Sequence, residues 1–280
     1  MEDIRDGLER SSVIGWEQAE IALLFRYTTS SELFGVFVSK QDAGLGLGWH
    51  TIRASASFST VASFRPSSLY EFDWFIFVFC FRLPFRSLVR QYDCDLCFSP
   101  MIVASCFARS QKARHAEFTT DIGDCPLIVQ FAANNGVDFA DAAELVANYC
   151  DGIDLNCGCP QKWAMSEGLG SDLISKPELL ADIVRQARNR IANHKFSISV
   201  KIRILDDQKA TVNLCRSAEA AGITLLSVHA RTPAERHQPV HRDAFALVKS
   251  AVSVPVVANG DVFSRDEGDQ LARETRVDAC

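Results

Sequence analysis

Apolar and polar positions alternate regularly from Phe81 to the last residue of the chain. Short apolar runs typical of buried strands occupy Leu96–Phe98, Pro126–Phe131, Gly152–Asn156, Phe196–Ile204, Thr224–His229 and Pro255–Asn259. Apolar residues at helical spacing predict helices at Phe85–Tyr92, Phe139–Tyr149, Gln208–Ala221 and Arg242–Val252, and two more that begin near Ser175 and Ser264. This alternation indicates an α/β fold with parallel strands and helical crossovers, in a barrel or an open sheet.

Polar residues stand at the end of each long apolar run, where a hydrophobic core would not favour them. They are Gln130, Asn156, Lys201, Arg203, His229 and the segment Asn259, Gly260 and Asp261, with Arg231 just beyond its strand. In a (β/α) barrel the active site lies at the carboxyl-terminal rim of the strands. A single residue of this kind is more often a satisfied structural group, but five equivalent strand ends predict one ring around one ligand.

The chemical types in this ring narrow the possible reactions. They comprise a lysine, arginines, a histidine, amides and a thiol, and the absence of paired carboxylates argues against glycosidase chemistry. Asp154 lies inside its strand and is interpreted as a buried, satisfied group. Gly260 would let a ligand approach the backbone, whose N–H groups suit a phosphate.

Composition and charge set broader limits. The chain has 280 residues, of which 48% are hydrophobic and 23% charged, as in globular proteins. A net charge of −6 argues against a surface that grips nucleic acid everywhere, while a local basic face remains compatible with it. The longest apolar run, Trp74–Phe81, is shorter than the about 20 residues that span a bilayer, so we expect no membrane partner.

The ten cysteines are irregularly spaced, and the charged first residues do not resemble a signal peptide. We therefore expect free thiols in a reducing compartment, either the cytoplasm or the nucleus. The Cys94–Cys97 and Cys157–Cys159 pairs lack a regular second knuckle, so no metal is expected. His237 and His241 have helical ligand spacing, but the proline between them favours a loop.

The segment DGIDLNCGCPQKWAMSEGLG at Asp151–Gly170 is accompanied, elsewhere in the chain, by PLIVQFAANN, SVKIRI, SVHARTPAERHQPVH and VPVVANGDV. Together, and in their order along the chain, these motifs resemble the signature of the tRNA-dihydrouridine synthase family. The resemblance runs from about Phe81 to the last residue and is strongest to the eukaryotic subfamily that modifies positions 20a and 20b of the tRNA D loop. It implies a TIM-type (β/α)8 barrel that binds FMN, uses NADPH or NADH as reductant and reduces a tRNA uridine to dihydrouridine.

The resemblance also implies roles for individual residues. Cys159 is the expected catalytic acid, and Cys157 the spare thiol with a packing role. A thiol with an ordinary pKa of about 8.5 stays mostly protonated near neutral pH, as an acid should. The expected cofactor-binding residues are Gln130, Lys201, His229, Asn259, Gly260 and Asp261. Asn156 is expected to orient the uracil, and Arg203 and Arg231 to contact the substrate or to pair with a carboxylate.

The family pattern is interrupted at both ends, so we expect an incomplete barrel. Phe75–Phe81 stands where the first strand and its flavin-wrapping segment belong, and Val277–Cys280 stands where the eighth strand should begin. Residues 1–75 are interpreted as an atypical segment, with disorder as one reading, and residues 76–280 as a partial FMN-binding barrel without the helical C-terminal tRNA-binding domain. The expectation is a monomer with weak FMN retention and little or no tRNA turnover.

Three readings stay open at this point. The chain is either an active synthase or a catalytically inactive splice or fragment product of one. A different flavin-dependent barrel oxidoreductase is the further alternative, although residues 164–168 follow the synthase pattern.

Overall fold

The computed structural model describes residues 82–236 and 238–280, together with the backbone of three short segments before them. Residues 1–72 and 73–280 are separate compact units. In the first unit, β1 (Ala22–Tyr27), β2 (Leu33–Val38) and β3 (Gly48–Thr51) pair antiparallel in that order. The reading of residues 1–75 as an atypical segment stays a prediction, and the proposed replacement of the first strand at Phe75–Phe81 lies outside the described residues.

A curled parallel sheet forms the second unit. Its strands are β4 (Cys97–Phe98), β5 (Ile102–Val103), β6 (Leu127–Ala132), β7 (Gly152–Cys157), β8 (Ser197–Arg203), β9 (Leu225–His229) and β10 (Val256–Asn259). The order is β4-β6-β7-β8-β9-β10, and β5 pairs with the far end of β6 on the same edge as β4. The sheet therefore has six strand positions and forms a half-barrel, which confirms the prediction of an incomplete (β/α) barrel.

The helices that join the strands are α1 (Leu83–Arg90), α2 (Ala104–Arg109), α3 (Gln111–Glu117), α4 (Gly136–Val146), α5 (Lys162–Ser166), α6 (Pro177–Arg190), α7 (Gln208–Ala220), α8 (Arg242–Ala251) and α9 (Arg265–Thr275), with a 3-10 turn at Gly170–Ser175. Six of them lie close to the predicted positions, whereas α2, α3 and α5 were not predicted. Asn135, Asp207 and Ser264 cap α4, α7 and α9 by accepting a backbone N–H. Within the described part of the chain, no helix is long and apolar enough to cross a membrane.

The outer face of the sheet packs against these helices and forms the core. Leu127, Val129 and Phe131 alternate along β6 with their side chains fully buried. The Phe131 ring meets the rings of Phe107 and Phe139 edge to face, at centroid distances of 5.2 and 6.5 Å. Burial of one such side chain stabilises the fold by about 1.5–3 kcal/mol.

The inner face of the same strands is polar. Because successive side chains point to opposite faces, the residues between the core positions face the barrel interior. On this face lie Gln130, Asp154, Asn156, Ser199, Lys201, Arg203, Ser227, His229 and Asn259. The sheet thus separates a dry outer face from an inner face of hydrogen-bonding groups.

The sheet continues beyond β10 at the last residues of the sequence. The Asp278 N–H donates to the Val256 carbonyl, and the Ala258 N–H donates to the Ala279 carbonyl, both at 2.9 Å. Val257 and Ala279 form a parallel bridge. The position where an eighth strand was expected to begin is therefore paired with β10.

Candidate functional site

The register of the parallel strands brings the predicted residues to one rim. The aligned pairs are Gln130 with Asp154, Asn156 with Lys201, Arg203 with His229, and His229 with Asn259. Since parallel strands end at the same edge, these side chains lie next to one another along the inner face. The polar residues at the strand ends are therefore close together in space.

Hydrogen bonds join β6, β7 and β8 below this rim. Ser199 Oγ donates to Asp154 Oδ1 at 2.6 Å, and Gln130 Nε2 donates to Asp154 Oδ2 at 2.8 Å. Asn156 Nδ2 then donates to Gln130 Oε1 at 2.9 Å. All four side chains are buried, so Asp154 is the satisfied buried group that the sequence indicated.

Cys159 follows β7 in a turn that is held from both sides. Its N–H donates to Asn156 Oδ1 at 3.0 Å, and its carbonyl accepts the Ser171 N–H at 2.9 Å and the Ser171 hydroxyl at 3.0 Å. Gly170 packs so closely that a Cβ there would lie 2.6 Å from the Cys159 carbonyl oxygen. The partly exposed Cys159 thus sits on a rigidly held backbone beside the polar inner face.

The other cysteine of the motif has a different environment. Cys157 is fully buried on the outer face, and burial together with the charge of Asp154 raises its pKa well above the usual range. This location agrees with the packing role inferred for it. In the other cysteine pair noted in the sequence, the Cys94 and Cys97 sulfurs lie 3.8 Å apart. No group of three potential metal ligands occurs among the described residues.

Lys201 and Asp154 place opposite charges on the inner face. Burial lowers the pKa of Lys201, and the Asp154 carboxylate opposes that shift. Burial raises the pKa of Asp154 to about 6, while hydrogen bonds from Ser199 and Gln130 and the charge of Lys201 act in the other direction. Each charge therefore stabilises the other where water is largely excluded.

Arg203 fastens two loops to the end of β8. Its Nε donates to the Gly158 carbonyl at 2.9 Å, and its Nη1 donates to the carbonyls of Thr232 at 3.1 Å and Glu235 at 3.4 Å. The predicted contact of Arg203 with substrate stays a prediction. What the structure adds is a bracing role that links the Cys159 turn to the loop after β9.

Arg231 lies in a cluster with His229 and Asp261. Arg231 Nη2 donates to both Asp261 carboxylate oxygens at 2.6 and 2.7 Å, and Nη1 lies 3.2 Å from His229 Nε2. Of the two roles considered for Arg231, pairing with a carboxylate is the one observed. The Arg231 hydrogen bond lowers the pKa of Asp261, whereas burial and the neighbouring cations, Arg203 first, lower the pKa of His229 to about 4.

The loop after β10 has a backbone that favours glycine. Gly260 has a φ of 116°, and a Cβ there would lie 2.8 Å from Val240 Cγ1 and 3.0 Å from His229 Cδ2. Asp261 follows in the left-handed region at a φ of 54°. This turn brings a bare stretch of backbone to the rim beside His229.

Sequence reasoning missed three contributors to the site. Ser199 and Ser171 hold Asp154 and Cys159 respectively, and Glu235 binds His241 Nε2 at 2.8 Å within the loop after β9. For Ser199 a signal existed, because it alternates with apolar residues in Ser197–Arg203. No local pattern distinguished Ser171. His241 precedes α8, as the loop prediction required, whereas His237 lies outside the described residues.

A parallel half-barrel with a thiol, a lysine and amides gathered at the carboxyl ends of its strands has the architecture of a (β/α)-barrel enzyme. The family model described as dihydrouridine synthase (Dus) matches residues 80–280. The chain belongs to the dihydrouridine synthase family.

Individual relatives agree with this assignment. The Mus musculus protein named tRNA-dihydrouridine(20a/20b) synthase NAD(P)+-like is 57% identical over 197 residues, which cover 70% of this chain and 61% of the mouse protein. Its Homo sapiens counterpart is 56% identical, with coverage of 70% and 62%. A Schizosaccharomyces pombe tRNA-dihydrouridine(20a/20b) synthase is 43% identical, with coverage of 70% and 60%. The chain spans about three fifths of the length of these relatives.

Proposed function

We propose that this chain carries the site for FMN-dependent reduction of uridine to dihydrouridine in the tRNA D loop, with NADPH or NADH as reductant. The observation that carries the proposal is the Cys159 turn, held beside the amides and the lysine of the inner face. Relatives named for positions 20a and 20b support the same substrate region.

The residues of the rim fit a flavin phosphate and ring. Gln130 and Asn259 are amides, Lys201 is a cation, and His229 is held neutral near pH 7 because its pKa lies at about 4. Gly260 leaves backbone free of side chain, and the Asp261 carboxylate is already neutralised by Arg231. These six residues would hold FMN, which supplies hydride once NAD(P)H has reduced it.

The chain's own residues supply the remaining chemistry. The Cys159 thiol donates a proton to the C5 carbon of the uracil ring as general acid. Lys201 offsets negative charge that develops in the barrel interior. Asn156 orients the uracil. Arg203 holds the Cys159 turn through the Gly158 carbonyl, and Arg231 pairs with Asp261. Both arginines are the proposed contacts of this rim with the polyanionic tRNA.

The test measures bound flavin and dihydrouridine formed on unmodified tRNA. We expect Cys159→Ala to lower the rate by about 10²–10⁴-fold, the usual contribution of a general acid, with flavin content unchanged. Cys106→Ala is the matched control, because Cys106 is an exposed thiol on α2. An unchanged rate in Cys159→Ala would refute the acid assignment, and wild-type chain that binds flavin without forming product would favour the inactive alternative.

The cellular setting is part of the same proposal. The nine free cysteines of the described residues suit a reducing compartment, so we propose the cytoplasm or the nucleus. A monomeric state and the absence of a membrane partner remain proposals, for which size-exclusion chromatography and cell fractionation are the direct measurements.

A further inference from the structure

Three side chains, from two neighbouring strands, form a line of hydrogen bonds that leads to Cys159. It runs from Asp154 through Gln130 to Asn156, and we call it the amide relay. Its links are 2.8 and 2.9 Å long, and each of the three side chains is buried. Asn156 Oδ1 then accepts two backbone N–H groups, from Gly158 at 3.1 Å and from Cys159 at 3.0 Å.

The chemistry at each end dictates the direction of the relay. A carboxylate only accepts, so Gln130 must turn its amide nitrogen toward Asp154. Backbone N–H groups only donate, so Asn156 must turn its oxygen toward the Cys159 turn. The middle link is then satisfied in one way, with Gln130 Oε1 facing Asn156 Nδ2, as observed. The amide orientations deduced from the two ends therefore agree.

We propose that Asp154 is a positioning residue for Cys159 and that it acts through Gln130 and Asn156. The hydrogen bonds of the relay are independent of the proposed function, and the inference rests on that function only in giving Cys159 a chemical role. Asn156 Oδ1 already accepts two hydrogen bonds, so the group of this side chain that can still bind a ligand is the second N–H of its amide nitrogen. The relay thereby favours a ring that presents a carbonyl oxygen over one that presents an amino group.

Exchange of the two ends of the relay tests the coupling between residues 154 and 156. Asn156→Asp leaves Gln130 between two carboxylates, one of which must face its carbonyl oxygen. The double variant Asp154→Asn/Asn156→Asp removes that conflict, because Gln130 can turn over to donate to Asp at 156 and accept from Asn at 154. The side-chain oxygen of Asn at 154 would then accept the Ser199 hydroxyl, which now donates to Asp154 Oδ1.

Thermal unfolding of the full 280-residue chain is the first measurement. We expect Asn156→Asp to lower the midpoint by about 5–10 °C and the double variant to recover at least half of that loss. Asp154→Asn alone can still accept from Gln130, so its decrease should be the smaller of the two single variants. A double variant no more stable than Asn156→Asp overturns the proposal. If Asn156→Asp fails to fold, a folded double variant supports the relay and an unfolded one overturns it.

Alkylation of Cys159 is the local measurement, since a general loss of stability would not act on one thiol. Iodoacetamide labelling of the cofactor-free chain is followed by peptide mass spectrometry, with Cys106 as the internal control. We expect Asp154→Leu to change the Cys159 labelling rate about fivefold or more, through a loosened turn, and Asp154→Asn to stay within about twofold. Equal rates in Asp154→Leu and wild type, or in the two variants, contradict the positioning role. Neither measurement uses flavin or tRNA. The positioning role of Asp154 can therefore be refuted without refuting the proposed function, and the proposed function can be refuted without refuting the positioning role.

Discussion

The two faces of the parallel sheet are built from the same strands, but one face is apolar and the other is polar. On the outer face, Leu127, Val129 and Phe131 are fully buried against helices. On the inner face, the alternate positions carry Gln130 on β6 and Asp154 and Asn156 on β7, whose polar atoms bond to one another. In each strand, alternate residues therefore face either the hydrophobic core or the polar interior. Substitutions on the outer face should mainly lower stability, and substitutions on the inner face should mainly affect the proposed activity.

The largest effect is expected on the outer face. Phe131→Ala removes a fully buried ring that contacts Phe107 and Phe139, and we expect a loss of about 3–5 kcal/mol in the free energy of unfolding. Urea denaturation measures it. The activity per folded molecule should stay near the wild-type value, and a selective loss of activity without a loss of stability would break the division between the faces.

A smaller effect is expected at the rim where the inner face meets the loops. Gly260→Ala forces a Cβ to within 2.8 Å of Val240 at a φ of 116°. We expect a cost of about 1–3 kcal/mol together with weaker flavin binding. Gly123→Ala is the matched control, because a Cβ there would meet only Asp121 Oδ1 at 3.4 Å. Equal stability of the two variants would show that the turn tolerates a side chain.

Adjacent residues of β10 give the sharpest comparison of the faces. Val256 is fully buried on the outer face, whereas Val257 lies on the inner face and is partly exposed. A buried hydroxyl without a partner costs about 1–3 kcal/mol, so Val256→Thr should lose that much stability. Val257→Thr should lose under about 0.5 kcal/mol, since its hydroxyl joins polar neighbours. Similar losses in both variants would contradict the polar nature of the inner face.

The smallest predicted effect concerns pH. Burial raises the pKa of Asp154 from 3.8 to about 6, so the folded chain binds this proton more readily and gains stability as the pH falls through that window. His229 acts oppositely, because its pKa falls from 6.5 to about 4 and the unfolded chain binds the proton more readily. The two contributions therefore oppose each other in mildly acidic solution.

Two single variants separate these contributions. Between neutral pH and about pH 4.5, His229→Gln should lose less unfolding free energy than wild type, and Asp154→Asn should lose more. Urea denaturation at several pH values in that range gives the free energy of unfolding as a function of pH for each protein. The same pH dependence in wild type and both variants would mean that neither group titrates with a shifted pKa.

The strands could be predicted well from the sequence because each strand is a short apolar run that ends at a polar rim residue. Gly152–Cys157 and Leu225–His229 lie within one residue of the predicted runs, since apolar residues end where polar rim residues begin. Helices α2, α3 and α5 were not predicted, because they are only five to seven residues long. Local periodicity carries too little information at that length.

The members of the rim could be predicted, but their connections could not. Strand-end position and family resemblance selected Gln130, Asn156 and Cys159, which the structure links by hydrogen bonds. The contact of Ser171 with the Cys159 carbonyl joins residues that are 12 positions apart through a 3-10 turn. Such a contact depends on the path of the loop, which no spacing rule encodes.

Because the inner face is polar and open to a ligand, the thermal stability of this protein should depend on which molecule is bound there. A molecule that binds only the folded chain adds stability by mass action, about 2.7 kcal/mol when present at one hundred times its dissociation constant. Because the rim takes groups from five strands, an occupant would tie successive strand ends together, from Gln130 on β6 to Asn259 on β10. A thermal-shift titration with flavin nucleotides, nicotinamides and short RNAs would therefore rank candidate occupants before any turnover is assayed.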